Sequence, residues 1–275
     1  MNLQSNRTYY FILAVLLVIL SIELNAQDTT KIGKDYEGKE NNWRFIISPY
    51  AWLAGMSTDV GGEKIRQSFN DIVGLTNMGF QLNAMVMYKK WILSADGTYA
   101  HLQAGADEGI LIIDGSIKQY ILDLKLGYLV FSNVSKADDN VIRGWALEIN
   151  AGAKHWKNDV VIDYKVVVGE TTLLEGNITE PQAWWDLMIG AKARFFLSDY
   201  VLLSVTGDIG GFGIGHSSKL SYDFTYANTF KVSKLISVTA GYRTFKYRRV
   251  DGEGENELET IVNAFGPMLG VSFVF

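Results

Sequence analysis

From residue 43 onward the chain alternates apolar and polar positions with a period of two. The clearest run is 116–131, where Tyr120, Leu122, Leu124, Leu126, Tyr128 and Val130 fall on one face and Gln119, Asp123, Lys125 and Gly127 on the other. Successive side chains of a strand point to opposite faces, so this run predicts a strand with one apolar and one charged face. The same alternation recurs at 78–88, with Phe80, Leu82, Ala84 and Val86 opposite Gln81 and Asn83. At 143–156 Trp145, Leu147, Ile149 and Ala151 oppose Glu148, Asn150 and Lys154, and at 183–196 Trp185, Leu187, Ile189 and Phe195 oppose Asp186, Lys192 and Arg194. At 200–212 Val201, Leu203, Val205 and Ile209 oppose Ser204, Thr206 and Asp208.

Alternation alone fits a secreted sandwich as well as a membrane barrel, because both have one apolar and one polar face. Three features favour the barrel. The runs are long, and about 9–11 tilted residues cross a bilayer whereas soluble strands average about five or six. Aromatic residues gather at strand ends, at Tyr88 and Trp91, Tyr128 and Phe131, Trp184 and Trp185, Phe195 and Tyr200, and Phe230, as two interfacial girdles would require. The last residues, Leu269, Val271, Phe273 and Phe275, continue one apolar face to a terminal aromatic. That ending resembles the assembly signal of bacterial outer-membrane barrels, and the resemblance implies that Phe273 and Phe275 are read by the barrel-assembly machinery. The expected fold is all-β: a transmembrane antiparallel up-and-down β-barrel of about ten strands, with eight or twelve as alternatives.

The ten strands are expected at 43–54, 78–88, 91–102, 116–131, 143–156, 183–196, 200–212, 219–231, 235–247 and 260–275. Lys89-Lys90, Ser198-Asp199 and Val232-Ser233 are short turns, and 132–142 is a longer one. The segments 55–77, 103–115, 157–182 and 248–259 are longer and polar or glycine-rich, as external loops are, and 213–218 is the shortest external loop. Residues 160–168 could extend a strand above the membrane. Pro49 cannot donate to a ladder and is expected at a bulge or near a strand end.

The N-terminus follows a different logic. Arg7 precedes the apolar run Phe11 to Leu20, and Asn25-Ala26 leads into a polar stretch. That order predicts a secretory signal peptide over 1–26, cut after Ala26. A spanning helix needs roughly 20 apolar residues, more than this run supplies. Residues 27–42 are then a periplasmic segment, 43–275 the barrel, and the cell outer membrane the destination. With no Cys in the chain there is no disulfide framework, thiolate metal site, cysteine nucleophile or lipoprotein anchor. The net charge of −5 gives no basic footprint for nucleic acid. The partners expected are outer-membrane lipid and lipopolysaccharide, and no feature sets an oligomeric state.

The polar faces supply the candidate chemistry. Asp96, Asp123, Lys125, Glu148, Lys154, Asp186, Lys192, Arg194, Asp208 and Arg243 fall on lumen positions. Opposite charges there can pair and fill a narrow interior. Open aqueous channels need about 16–18 strands, so a wide pore is not expected. The three histidines, His101, His155 and His216, fall at external strand ends. They could bind a ligand or a transition metal, or supply a catalytic base, although no short metal-ligand spacing joins them. The acidic loop Asp251 to Glu259 suits divalent cations without matching a calcium loop. The glycines of 207–215 do not satisfy a dinucleotide fingerprint, and no cofactor is expected. The function classes left open are a narrow structural or binding barrel, an adhesion barrel working through 55–77 and 157–182, and an outer-membrane enzyme acting on lipid A or peptides at the external rim.

The segment Ser48-Pro49-Tyr50-Ala51-Trp52-Leu53-Ala54-Gly55, followed by Asp59-Val60, by Ser68 to Ile72, and by Trp91 through Asp96 and Tyr99, resembles a family of uncharacterised outer-membrane β-barrel proteins. The resemblance covers residues 43–100. It implies location and fold and carries no catalytic residues.

Overall fold

The computed structural model describes residues 43–107, 111–136, 142–168, 171–252, 254 and 257–275. The expected signal peptide and the 27–42 segment lie outside the described residues. The chain runs β1 (Trp43–Trp52), β2 (Gly55–Val60), β3 (Glu63–Gln67), a short helix α1 (Phe69–Leu75) and β4 (Thr76–Tyr88). It continues with β5 (Trp91–Asp107), β6 (Leu111–Ser132), β7 (Ser135–Lys136), β8 (Ile142–Val168) and β9 (Thr171–Phe196). The last elements are β10 (Val201–Gly210), β11 (Leu220–Lys231), β12 (Ile236–Asp251) and β13 (Leu258–Val274).

Ten of these strands form a closed antiparallel ring in the order β1-β4-β5-β6-β8-β9-β10-β11-β12-β13, with β13 pairing back onto β1. Closure removes every edge within the ring, which a lipid environment demands of a sheet. The facing follows the alternation of the sequence. Leu93, Leu122, Leu124, Leu126, Ile149, Leu187, Ile189 and Leu269 are exposed on the outside, while Asp123, Glu148, Lys154, Asp186, Arg194 and Asp208 are buried. A soluble protein with so continuous an apolar exterior would aggregate, whereas a bilayer buries it.

Two girdles bound the apolar band. At the end with the short turns, Trp43 stacks on Tyr88 at 4.5 Å, Trp91 meets Tyr128 at 4.9 Å and Phe131 stacks on Trp145 at 4.2 Å. At the other end Tyr99 meets Tyr120 at 4.9 Å, and Trp185 meets His155 at 4.6 Å. Short turns mark the periplasmic side of such barrels, so the Trp43 end faces the periplasm. Trp184 corrects the expectation that placed it in a girdle: it points inward and is almost fully buried, while Trp185 points out. Period two permits only one of two neighbours on the lipid face.

Most of the expected external loops are more ordered than their sequences suggested. The segment 103–115 is taken up by β5 and β6, which pair as far as Asp107–Ile112, and β12 and β13 pair into 248–259 as far as Asp251–Leu258. Residues 157–182 belong mainly to β8 and β9, which pair with each other from Gly144–Phe196 up to Val168–Thr171. Above the membrane neither face must be apolar, so the alternation fades while the ladder persists. In 55–77, β2 continues the register of β1 on β13 and turns back into β3 through Gly61-Gly62, both at positive φ. That two-residue turn matches the twist of a hairpin. Helix α1 follows, opened by a capping box in which the Ser68 hydroxyl accepts from the Asp71 backbone N–H and the Asp71 carboxylate accepts from the Ser68 N–H. The hydrogen bonds from Ser68 hold the Asp71 carboxyl below its ordinary pKa, so the cap is complete at neutral pH and is lost as pH falls through that titration. In 132–142, β7 pairs with Ile142 and Arg143 of β8.

Pro49 is the last β1 residue in register with β4, opposite Leu82. Past it the backbone N–H of Trp52 is taken by the Gln81 side-chain oxygen at 2.6 Å. At the other terminus, Phe275 exchanges backbone hydrogen bonds with Phe45, and Phe273 lies in register with Ile47 on one side and Ile236 on the other. The C-terminal strand thus completes the ring.

Candidate functional site in the barrel lumen

Buried charge is concentrated at mid-height in the lumen. Lys154, with 1% of its side chain exposed, sits between Asp123 at 3.2 Å and Asp223 at 2.9 Å. Arg243 grips Asp223 through Nε at 3.2 Å and Nη2 at 2.7 Å. Its Nη1 donates to the Tyr50 hydroxyl at 2.8 Å and to Asp96 at 3.2 Å, and Tyr50 donates in turn to Asp96 at 2.9 Å. Lys125 binds Asp208 at 2.7 Å and Asp123 at 3.1 Å. Arg194 pairs with Glu148 at 2.7 Å, and Lys192 lies in register with Glu148 on the neighbouring strand. Asp96, Asp123, Glu148, Asp208 and Asp223 thus face Lys125, Lys154, Lys192, Arg194 and Arg243, five acids against five bases. The contacts from β5 to β12, from β8 to β11 and from β6 to β10 join strands that are not neighbours, so they cross the lumen. Inward-facing glycines make this possible. A Cβ on Gly127 would collide with the Glu148 carboxylate, and one on Gly190 with that of Asp208.

Toward the external side the lumen changes character. Trp52 packs on Phe245 at 5.3 Å, Phe245 on Trp156 at 5.2 Å, Trp156 on Tyr247 at 5.0 Å and Tyr247 on Trp184 at 5.4 Å. The Arg249 guanidinium lies over the Trp184 ring at 4.2 Å. Asp186 belongs to this layer and not to the ion pairs below. It accepts from Trp156 Nε1 at 2.9 Å, from the Ser218 backbone N–H at 2.7 Å and from the Ser218 hydroxyl at 2.8 Å. Those bonds tie the 211–219 turn into the lumen, with Ser218 wholly buried and accepting from Trp184 Nε1 at 3.1 Å. Gly211, at φ 85°, is required there, because a side chain would meet the Ser218 backbone.

Toward the periplasm a cavity of about 320 Å³ reaches the rim at Ser198, Asp199 and Lys234, with Lys125, Lys192, Arg194 and Asp208 on its walls. Tyr50, Asp223, Ser218 and the aromatic layer also face the lumen, outside the set of charges expected there. Asp223 carried a signal, since Ser221, Asp223 and Thr225 alternate with Tyr222, Phe224 and Tyr226.

The histidines do not converge. His101 on β5 meets the Ser116 hydroxyl at 3.0 Å, His155 on β8 packs on Trp185 outside the barrel, and His216 lies in the 211–219 turn. Among the described residues no cluster of three or more His, Cys, Asp or Glu could hold a metal. In the acidic loop, Glu253, Glu255 and Asn256 lie outside the described residues; Asp251 accepts from Arg249 at 2.5 Å, and Glu259 pairs with Arg248.

No family model matches the chain, and no curated protein matches it. Among solved structures, the outer membrane protease OmpT from Escherichia coli is similar over 86% of this chain and 98% of its own, at 10% identity and a TM-score of 0.50. The translocator domain of the autotransporter NalP from Neisseria meningitidis is similar over 88% of this chain and 91% of its own, at 11% identity and a TM-score of 0.38. The attachment invasion locus protein Ail of Yersinia pestis, in complex with the heparin analogue sucrose octasulfate, is similar over 86% of this chain and 100% of its own, at 14% identity and a TM-score of 0.36. At 10% identity the likeness to the protease is one of fold alone. With its apolar exterior, charged interior and closed ring, the chain is a ten-stranded β-barrel of the bacterial outer membrane.

Proposed function

We propose that the protein is a non-conducting structural or binding barrel. The observation that carries the reading is the stack of two layers across the lumen, the ion pairs centred on Lys154 and Arg243 and the aromatic residues around Trp156. A hydrated ion would have to part both. Ligand contact then falls to the external surface, where β8 and β9 rise beyond the membrane and expose Leu173, Leu174 and Ile178. Lipid and lipopolysaccharide surround the wall below them. Insertion through the barrel-assembly machinery, reading the C-terminal strand at Phe273 and Phe275, belongs to the same proposal. The enzyme alternative has no comparable observation behind it: His101 meets Ser116, His155 packs on Trp185, and His216 lies in the 211–219 turn. Ion current across a planar lipid bilayer provides the test. The purified barrel is expected to give no stepwise current at any voltage that the bilayer survives. Reproducible steps from the unaltered protein would overturn the reading.

A further inference from the structure

Between β4, β5 and β6 the lipid-facing wall carries a patch of small side chains that starts near mid-height and runs toward the external side. Ala84 on β4 pairs with Ala95 on β5, and Leu82 pairs with Gly97 two residues higher. Ala84, Ala95 and Gly97 form the floor of an apolar groove of about 750 Å³. Phe80 and Leu82 bound it on the β4 side; Tyr99, Tyr120 and Leu122 bound it on the other. Tyr99 stands eight residues above Trp91 of the periplasmic girdle in the same strand, which at a strand tilt of about 40° places it roughly 20 Å higher, in the outer leaflet of a band about 25 Å tall.

The upper end of the groove is polar. Lys157 and His155 line it, and the Lys157 ammonium lies 5.4 Å above the Tyr120 ring. Lys118, exposed on the same face of β6 as Tyr120, stands one step higher, in register with His101 and with Asp159. Asp159 pairs with Lys157 at 3.0 Å, and His101 meets Ser116, so Lys118 and Lys157 outnumber the one carboxylate. An apolar slot ending beneath an excess of cations, at the height where acyl chains give way to headgroups, is complementary to an anionic amphiphile.

We propose that this groove is a binding site for a phosphorylated, acylated lipid of the outer leaflet, lipid A, with an acyl chain over Ala84, Ala95 and Gly97 and a phosphate at Lys118 and Lys157. The site rests on the orientation of the barrel and is independent of whether the lumen conducts.

The test titrates the detergent-solubilised full chain with lipid A and, separately, with phosphatidylethanolamine, and counts retained lipid by native mass spectrometry. The unaltered protein is expected to retain one lipid A selectively. The double variant Lys118→Gln, Lys157→Gln is expected to bind lipid A about 25-fold more weakly, from roughly fivefold per lysine removed at an anionic lipid surface. Gly97→Leu fills the groove and leaves the charges in place; a Cβ at Gly97 would lie 3.9 Å from its nearest neighbour, the Leu82 carbonyl, so the strand accepts it. It is expected to lose selective retention. Ala84→Leu is a second filling variant, and heat-dependent gel migration confirms that each variant is folded. Equal retention of the two lipids by the unaltered protein, or retention unchanged in either the lysine or the filling variants, would overturn the proposal.

Discussion

Arg243→Leu is expected to destabilise the barrel by about 3–5 kcal/mol, the usual cost of removing one partner from a buried ion pair. Arg243 is the most connected cation in the lumen, bonded to Asp223, Asp96 and the Tyr50 hydroxyl. Its loss would leave five acids facing four bases in the same layer. Asp223 would keep Lys154, at 2.9 Å, and Asp96 would keep Tyr50, at 2.9 Å, so the ring should still close. The cost is expected to shrink in the double variant Arg243→Leu, Asp223→Asn, because Lys154 retains Asp123 at 3.2 Å and the layer is again balanced. Urea unfolding in lipid vesicles measures both. If the double variant is no more stable than Arg243→Leu, the charge balance is not what holds the layer together.

The second large effect compares two adjacent positions on β6. Leu124 is 40% exposed on the lipid face, and Asp123 is 3% exposed on the lumen face. Leu124→Arg puts a cation against lipid and is expected to cost about 2–4 kcal/mol at mid-membrane depth. Asp123→Asn is expected to cost less. Of the two cations that Asp123 touches, Lys154 retains Asp223 and Lys125 retains Asp208 at 2.7 Å. Folding yields in vesicles rank the two variants. A larger loss for Asp123→Asn would mean that the lumen layer contributes more to folding than the lipid-facing wall does at this height.

Much of this arrangement was legible in the sequence because one physical rule acts on every spanning residue. Lipid on one side and a polar lumen on the other force period two, and parity then assigns Leu124 outward and Asp123 inward without further information. The rule stops at the membrane surface. Residues 157–182 continue the β8–β9 ladder in the external medium, where either face tolerates polar side chains, so beyond the strand extension expected at 160–168 the pattern there does not distinguish strand from loop. The hairpin at Gly61-Gly62 and the capping box at Ser68 left local signatures, but neither has the length of a spanning run. In the lumen, parity shows which charges face inward and not which ones meet. The contact between Lys125 and Asp208 depends on ring closure and on the glycine opposite Asp208, and no spacing within either strand encodes it. Aromatic residues misled for a related reason. Trp184 and Trp185 are both plausible at a membrane boundary by type, but only parity separates the one over the lumen from the one in lipid.

The facing of the wall underlies both the lumen layer and the lipid groove, and the absence of native cysteine gives it a direct test. Asp123→Cys and Leu124→Cys are made singly and treated in vesicles with a thiol reagent confined to the lipid phase. Labelling of the Leu124→Cys protein, with the Asp123→Cys protein unreactive, is the predicted result. The reverse pattern, with position 123 labelled from the lipid and position 124 protected, would contradict the account.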